Sequence, residues 1–125
     1  MVYIIDDESS VRRGLKRLMN AHGYDARTFA SAREFLVAGI PCGNACIIID
    51  VVMPGMGGLE LLRELTLAGN KAPAIFITGS DVASLPESAK RAGAVAFLLK
   101  PLDAPLLLDA VKGALRSAHN VGNVQ

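Results

Sequence analysis

Five short segments of strand length, each followed by a longer stretch with helical periodicity, constrain the fold of this chain more than any other feature. Four of them have almost no polar residue, as is typical of parallel strands that are covered on both faces, and the second, "DARTF" (25–29), is a weaker strand candidate. Their alternation with helices predicts an α/β domain with a parallel sheet between two helical layers. The predicted strands are residues 2–5, 25–29, 45–49, 73–78 and 94–99, and the predicted helices are residues 9–23, 31–39, 58–68, 84–92 and 104–118.

Capping residues predict where several of these helices begin and end. Ser9 or Ser10 is expected to cap the first helix, and Gly23 to end it. Ser31 is expected to cap the second helix and Asp103 the last one.

The length and charge of the chain limit its organisation. Its 125 residues suit one domain, which we expect at 1–116, followed by a polar, frayed tail or linker stub at 117–125. A net charge of +1 does not favour nucleic acid as a direct partner. With no charged and apolar leader and no apolar run of about 18 residues, we expect a cytoplasmic protein without a membrane contact.

The two cysteines, Cys42 and Cys46, are four residues apart. A zinc site would require further ligands nearby, but His22 and His119 are distant in sequence. We therefore interpret the cysteines as reduced and structural.

Polar side chains stand where four of the five predicted strands end. Asp6 and Asp7 follow the first strand, Asp50 the third and Lys100 the fifth, while Thr78 is at the end of the fourth. Sites in open α/β sheets form outside the carboxyl ends of the strands, so these side chains are expected to converge. Three adjacent carboxylates repel one another and require a proton, a cation or a lysine nearby.

Phosphoryl transfer is the chemistry that this set of groups suits. Ligands that are all oxygen favour a hard cation, and Mg²⁺ is the expected one. Lys100 supplies a positive charge and Thr78 a hydroxyl for the oxygens of a phosphoryl group. Asp50 would then be the nucleophile, giving an aspartyl phosphate.

In order and spacing, these motifs resemble the response-regulator receiver domain of two-component signalling, over residues 2 to about 116. Phe97 stands at the position of the family's switch aromatic, and this region looks most like the FixJ-type receivers. The motifs are the acidic pair "DD" (6–7), "DVVMPGMGG" (50–58) for Asp-x-x-Met-Pro-x-x-x-Gly, "FITGS" (76–80) and "AGAVAFLLKP" (92–101).

The resemblance implies a flavodoxin-like, doubly wound (βα)5 sandwich whose five-stranded parallel sheet has the order 2-1-3-4-5. It implies that Asp50 is the phosphoacceptor, and that the three acids bind Mg²⁺ together with the backbone carbonyl of Val52. Thr78 and Lys100 would contact the phosphoryl group, and Thr78 and Phe97 would form the switch.

A receiver is a signalling switch, with slow self-phosphorylation and self-dephosphorylation chemistry, rather than a turnover enzyme. The resemblance implies a histidine kinase or phosphotransfer protein as the donor. The output would be controlled through the surface of the fourth helix, fifth strand and fifth helix, and FixJ-type relatives suggest a homodimer through that surface. Val52 and Ser80 would tune the lifetime of the phosphate, since neither carries an acid or an amide.

Two surface features allow alternative interpretations. Arg12, Arg13, Lys16 and Arg17 cluster on the first helix, either as a solvated face or as a docking site for the kinase. The consecutive leucines 106–108 cannot all be buried by one helix face. They predict either a partner surface or burial by loop contacts.

Two other functions would also place an acid after a parallel strand or share the fold. A haloacid-dehalogenase-like phosphohydrolase requires a second aspartate two residues after the nucleophile, where this chain has Val52. A flavin-binding module requires a hydroxyl-rich phosphate loop, but the acids of "DDES" (6–9) would repel a phosphate. Tryptophan is absent and only two tyrosines are present to stack on a flavin ring.

Overall fold

The computed structural model describes residues 1–39, 41, 43–79 and 85–123, with the backbone alone at 85, 86, 88 and 117–123. Strands and helices alternate along the described chain, as predicted. The strands are β1 (Val2–Ile5), β2 (Ala26–Phe29), β3 (Cys46–Asp50), β4 (Ala74–Thr78) and β5 (Ala94–Leu99). The helices are α1 (Ser9–Ala21), α2 (Ala32–Ala38), α3 (Gly58–Leu67), α4 (Leu85–Arg91) and α5 (Ala104–Asn123).

The five strands form one sheet in the order β2-β1-β3-β4-β5, and every neighbouring pair is parallel. This confirms the predicted doubly wound fold and its strand order. The direction of the winding reverses between β1 and β3, where the connections that follow the two strands lead to opposite sides. A crevice at the carboxyl ends of β1 and β3 is the consequence, and it is where the predicted site should lie.

Burial on both faces explains the unbroken apolar sequence of β3, whose five residues are all buried. Ile47 and Ile49 pack in the core layer that also contains Phe35 of α2 and Leu61 of α3. Cys46 and Ile48, on the opposite face of the strand, pack in the second layer, against α1 and α5. Full burial of an isoleucine contributes about 1.5–3 kcal/mol, so both layers hold β3 in its register.

Two of the predicted caps are confirmed. The N–H of Glu34 donates to Ser31 Oγ at 3.1 Å, and the N–H of Leu106 donates to Asp103 Oδ1 at 3.1 Å. At the end of α1, Gly23 adopts a positive φ of 85° and its N–H donates to the Asn20 carbonyl. Glycine adopts this conformation at little steric cost, so Gly23 ends α1 as predicted.

The predicted cap of α1 is wrong. Ser9 and Ser10 lie inside the first turn, and Glu8 occupies the N-cap position. The helix begins at Ser9, as predicted, but its cap is one residue earlier, because the Glu8 carbonyl accepts a hydrogen bond from the N–H of Arg12 at 3.1 Å. The carboxylate of Glu8 caps nothing, and its actual contact lies in the site described below.

Helix α5 is longer than predicted. It continues to Asn123, through most of the segment expected to fray, and residues 114–121 contain neither proline nor glycine. Its three consecutive leucines differ in exposure, as one helix face requires: Leu107 is buried, Leu108 is half-buried and Leu106 is 57% exposed. Among the described residues, no helix has both the length and the hydropathy needed to cross a membrane.

The cysteine prediction can be followed at one of its two positions. Cys46 is a free thiol inside the core, and its burial raises its pKa to about 12. A thiol that stays protonated at neutral pH is a poor nucleophile and a poor metal ligand, which supports the structural interpretation. Cys42 lies outside the described residues.

The close approach of α3 to the end of β3 generates a prediction about Gly58. A Cβ at this position would lie 2.6 Å from the Asp50 carbonyl oxygen and 2.9 Å from both Ile49 Cγ2 and Val51 Cα. We therefore expect Gly58→Ala to lower the free energy of unfolding by about 1–3 kcal/mol. The matched control is Gly14→Ala in α1, where a Cβ meets no atom within 4 Å and alanine favours the helix. Urea unfolding that shows equal stability for the two variants would contradict this packing constraint.

Candidate functional site

The carboxyl ends of β1 and β3 bring two aspartates together in the crevice. Asp6 follows β1 directly and Asp50 is the last residue of β3, one position earlier relative to its strand than predicted. Both are buried, with relative exposures of 0% and 4%. The apolar run of β3 thus delivers Asp50 into the protein, next to a second acid on the neighbouring strand.

Lys100 compensates this buried negative charge from the end of β5. Its Nζ lies 3.0 Å from Asp6 Oδ2, and it donates hydrogen bonds to Asp50 Oδ2 at 3.2 Å and to Glu8 Oε1 at 3.1 Å. The Lys100 side chain is only 16% exposed. One ammonium group therefore joins three carboxylates that come from two separate segments of the chain.

The electrostatics of the site are dominated by burial and by like charges. Burial raises the pKa of Asp50 above its ordinary value of 3.8, and the neighbouring charge of Asp6 raises it further. The N–H of Val52, which donates to Asp50 Oδ1 at 3.1 Å, and the ammonium of Lys100 offset only part of this effect. Burial alone would lower the pKa of Lys100, but Asp6, Glu8 and Asp50 together hold it above its usual range.

Three aspartates of the site fit a divalent cation. Carboxylate oxygens of Asp6, Asp7 and Asp50 all lie within 4.8 Å of one another, with Asp7 on the exposed side. Asp6 Oδ2 is buried and forms an ion pair with Lys100 Nζ at 3.0 Å. Buried carboxylates that share one ammonium group, in a set of oxygen ligands, suit a cation such as Mg²⁺.

Thr78 lies between Asp50 and Lys100, because β4 lies between β3 and β5, and Phe97 lies on β5. Thr78 ends β4 and is buried, and its carbonyl accepts a hydrogen bond from the N–H of Lys100 at 2.8 Å. Phe97 pairs in register with Phe76 and packs, half-buried, against the core layer that contains α2 and α3. The two predicted switch residues thus lie on adjacent strands. Ser80, predicted to influence the phosphate lifetime, lies outside the described residues.

The predicted basic cluster on α1 divides in two. Arg12 is half-buried and its Nη1 donates to the Asp6 carbonyl at 2.8 Å, so it supports the acidic crevice. Arg13, Lys16 and Arg17 instead line an open surface groove of about 630 Å³. A kinase-docking surface thus stays a possible interpretation for Arg13, Lys16 and Arg17, whereas Arg12 belongs to the acidic crevice.

Glu8 is the site residue that the sequence motifs did not identify. The available signal was its position directly after the acidic pair, at the start of α1. That position looked like part of a helix cap, and no local pattern indicated a partner 92 residues further along the chain.

The raised pKa of Asp50 predicts a pH-dependent effect on stability. An acid whose pKa is higher in the folded chain binds more protons when folded, so stability falls as pH rises from 3.8 through the folded pKa. Asp50→Asn has no titratable group at this position and therefore no such loss of stability. We expect its melting temperature at pH 7, without divalent ions, to exceed that of the wild type by a few degrees. The difference should shrink as the pH falls toward 4.

Added Mg²⁺ should stabilise the wild type more than Asp50→Asn, because the variant loses one of the three carboxylates. Asp109→Asn, at an exposed position of α5, is the control and should change neither stability nor its dependence on Mg²⁺. A melting temperature for Asp50→Asn at or below that of the wild type at pH 7 would contradict the proposed repulsion.

Known proteins are similar to this chain in both sequence and fold. The family model of the response regulator receiver domain matches residues 2–112. The chain is 43% identical over 124 residues to the transcriptional regulatory protein TdiR of Thauera aromatica, covering 99% of this chain and 55% of that protein. It is 42% identical over 119 residues to the transcriptional regulatory protein FixJ of Azorhizobium caulinodans, covering 94% of this chain and 56% of that protein. The chain thus spans about half the length of these curated relatives.

Solved structures of receiver domains show the same similarity. The crystal structure of FixJ-N superimposes with a TM-score of 0.85 at 34% identity, covering 92% of both chains. A CheY-like receiver domain protein from Methanospirillum hungatei superimposes with a TM-score of 0.86 at 26% identity, covering 95% of both chains. With the family model spanning most of its length, and with this fold, the chain belongs to the response regulator receiver domain family.

Proposed function

We propose that this chain is the phosphoacceptor switch of a two-component system. It receives a phosphoryl group on Asp50, with Mg²⁺, from a histidine kinase or phosphotransfer protein, and then changes its α4-β5-α5 surface to control an output. The observation that carries this proposal is the contact of Lys100 Nζ with both buried carboxylates, Asp6 and Asp50. It is a signalling role, whose self-phosphorylation and self-dephosphorylation are slow, and not that of a turnover enzyme.

Each residue of the crevice has a role in the proposed transfer. An oxygen of Asp50 forms the new bond to phosphorus as the bond from phosphorus to the donor's leaving group breaks. Asp6, Asp7 and Asp50, with the Val52 carbonyl, would hold Mg²⁺, which supplies positive charge to the phosphoryl oxygens when bound. Lys100 and Thr78 contact the remaining phosphoryl oxygens.

The switch follows from the position of Thr78 between Asp50 and Phe97. Attraction of its hydroxyl to the phosphoryl group would vacate space on the α4 side, which Phe97 would fill. A small cavity of about 130 Å³ borders Phe97 between α4 and β5, so this region has room to rearrange. Exposed apolar side chains of the same face, Leu99 and Leu106, support a homodimer there.

The remaining proposals concern the setting of the domain. Residues 1–116 form the receiver, and 117–125 are a tail or linker stub. We place the protein in the cytoplasm, with the output exerted by transcription, since relatives about twice as long are named transcriptional regulators. The groove lined by Arg13, Lys16 and Arg17 is the proposed docking surface for the kinase. Contact with nucleic acid is not assigned to this domain.

A haloacid-dehalogenase-type hydrolase remains disfavoured, because the position two residues after Asp50 carries the apolar side chain of Val52, which cannot transfer a proton. No feature of the described crevice favours this alternative over the receiver.

Phosphorylation at Asp50 is tested by incubating the chain with acetyl phosphate and Mg²⁺. We expect the intact mass to rise by one phosphoryl group, and Asp50→Asn or removal of the metal to abolish the gain, since the nucleophile or its charge compensation is lost. Asp109→Asn is the matched control and should be labelled normally. Labelling of Asp50→Asn to the wild-type level would place the acceptor elsewhere and overturn the proposal.

The lifetime of the phosphate is predicted to depend on Val52. Hydrolysis requires a water held in line with the phosphorus, and the side chain of Val52, 56% exposed beside Asp50, can neither donate to that water nor accept from it. We expect Val52→Asn to lose phosphate several times faster, where tenfold corresponds to about 1.4 kcal/mol of barrier.

Val52→Ala is the control that separates crowding by the valine methyl groups from orientation of the water. Fast decay in both variants would indicate crowding, and decay of Val52→Asn at or below the wild-type rate would exclude water positioning at this residue. The matching role of Ser80 stays a prediction, to be followed with Ser80→Glu in the same assay.

A further inference from the structure

Glu8 occupies the N-cap of α1 without acting as a cap. Short side chains such as serine or aspartate fit that position best, and Glu8 forms no side-chain capping hydrogen bond. Its backbone N–H instead donates to Asp6 Oδ1 at 2.9 Å, and its carboxylate accepts from Lys100 Nζ at 3.1 Å. Both its main chain and its side chain are therefore engaged with the acidic crevice.

The three carboxylates on Lys100 are not equivalent. The side chains of Asp6 and Asp50 are 0% and 5% exposed, and both belong to the group that fits a cation. The side chain of Glu8 is 57% exposed and lies outside that group. Glu8 is thus the one carboxylate on Lys100, within the described structure, that a bound cation would not share.

Lys100 and a divalent cation would draw on the same two buried carboxylates, Asp6 and Asp50. A cation held by the three aspartates would repel the ammonium and take over the charge of Asp6 and Asp50 that now compensates it. Lys100 is too buried for water alone to replace these partners, since its side chain is only 16% exposed. Glu8, at the outer side of the site, would still provide a negative charge and a hydrogen-bond acceptor.

We propose that Glu8 is a positioning residue that holds Lys100 at the rim of the crevice when Mg²⁺ engages Asp6 and Asp50. It retains the ammonium beside the site of phosphoryl transfer and reduces the free-energy cost of separating it from the two buried aspartates. This inference rests on the proposed function, because it concerns the Mg²⁺-bound form of the same site.

The test is a Mg²⁺ titration that follows the amide chemical shifts of the β3–α3 loop. We expect Glu8→Gln to weaken Mg²⁺ binding about three- to tenfold, a coupling typical of directly contacting charges. Loss of any nearby negative charge weakens cation binding somewhat, so the control is Glu60→Gln. Glu60 is exposed in the first turn of α3, at the same edge of the sheet, and should change the affinity less than about twofold.

A second background shows whether Glu8 acts through Lys100. In Lys100→Met, which removes the ammonium, Glu8→Gln should have no larger effect than Glu60→Gln. In Lys100→Arg, which keeps a cation of similar reach, the effect of Glu8→Gln should persist. Equal weakening by Glu8→Gln in the wild-type and Lys100→Met backgrounds would overturn the inference, since Glu8 would then act on the metal directly.

A direct observation of Lys100 covers the case in which Lys100→Met does not fold. The ¹⁵Nζ ammonium resonance of an ion-paired lysine is protected from exchange, and Lys100→Arg assigns it. With saturating Mg²⁺, we expect this signal in the wild type and its loss in Glu8→Gln, whereas its persistence in Glu8→Gln would overturn the inference. Failure of the wild type to bind Mg²⁺ would overturn the proposed function as well, so the two failures are distinguishable.

Discussion

The buried contact of Lys100 with Asp6 and Asp50 is the interaction on which the site depends. Two ionised carboxylates cannot be placed side by side in the interior without compensation, because like charges repel strongly where water is excluded. One lysine supplies that compensation, at 3.0 Å and 3.2 Å from the two acids. It does so incompletely, because burial and the charge of Asp6 still hold the pKa of Asp50 above its ordinary value.

This interaction is available only because the sheet delivers its members to one edge. β1 and β3 are neighbours, so their last residues are adjacent, while Lys100 starts beyond β4 and reaches back across it. The hydrogen bond from the Lys100 N–H to the Thr78 carbonyl holds the Lys100 backbone beside β4, so its side chain extends from a fixed position. The two apolar layers on either side of β3 hold these strands in register and therefore hold the charges together.

Local sequence patterns predicted the parts of the structure that are determined locally. Period and composition identified the strands, and short-range hydrogen bonds explain the correct caps at Ser31 and Asp103. The strand order came from the resemblance to receivers, and the resemblance implied the same roles for Asp50 and Lys100 that their chemistry and their positions at strand ends had indicated. Spacing alone indicates convergence but not which groups touch. The contact of Glu8 with Lys100 spans 92 residues, and it leaves no periodic or capping signal that a local reading could detect.

The different exposures of the carboxylates suggest how a charged site can be both stable and ready to react. An ion pair inside the protein is costly to break because each partner is left in a medium of low polarity. A pair with one partner at the surface is less costly to rearrange, because water still solvates the exposed carboxylate. Lys100 has contacts of both kinds, with Asp6 and Asp50 inside and with Glu8 at the surface. Its ammonium could therefore be released from the buried pair as another cation arrives, because the exposed carboxylate keeps it paired throughout the exchange.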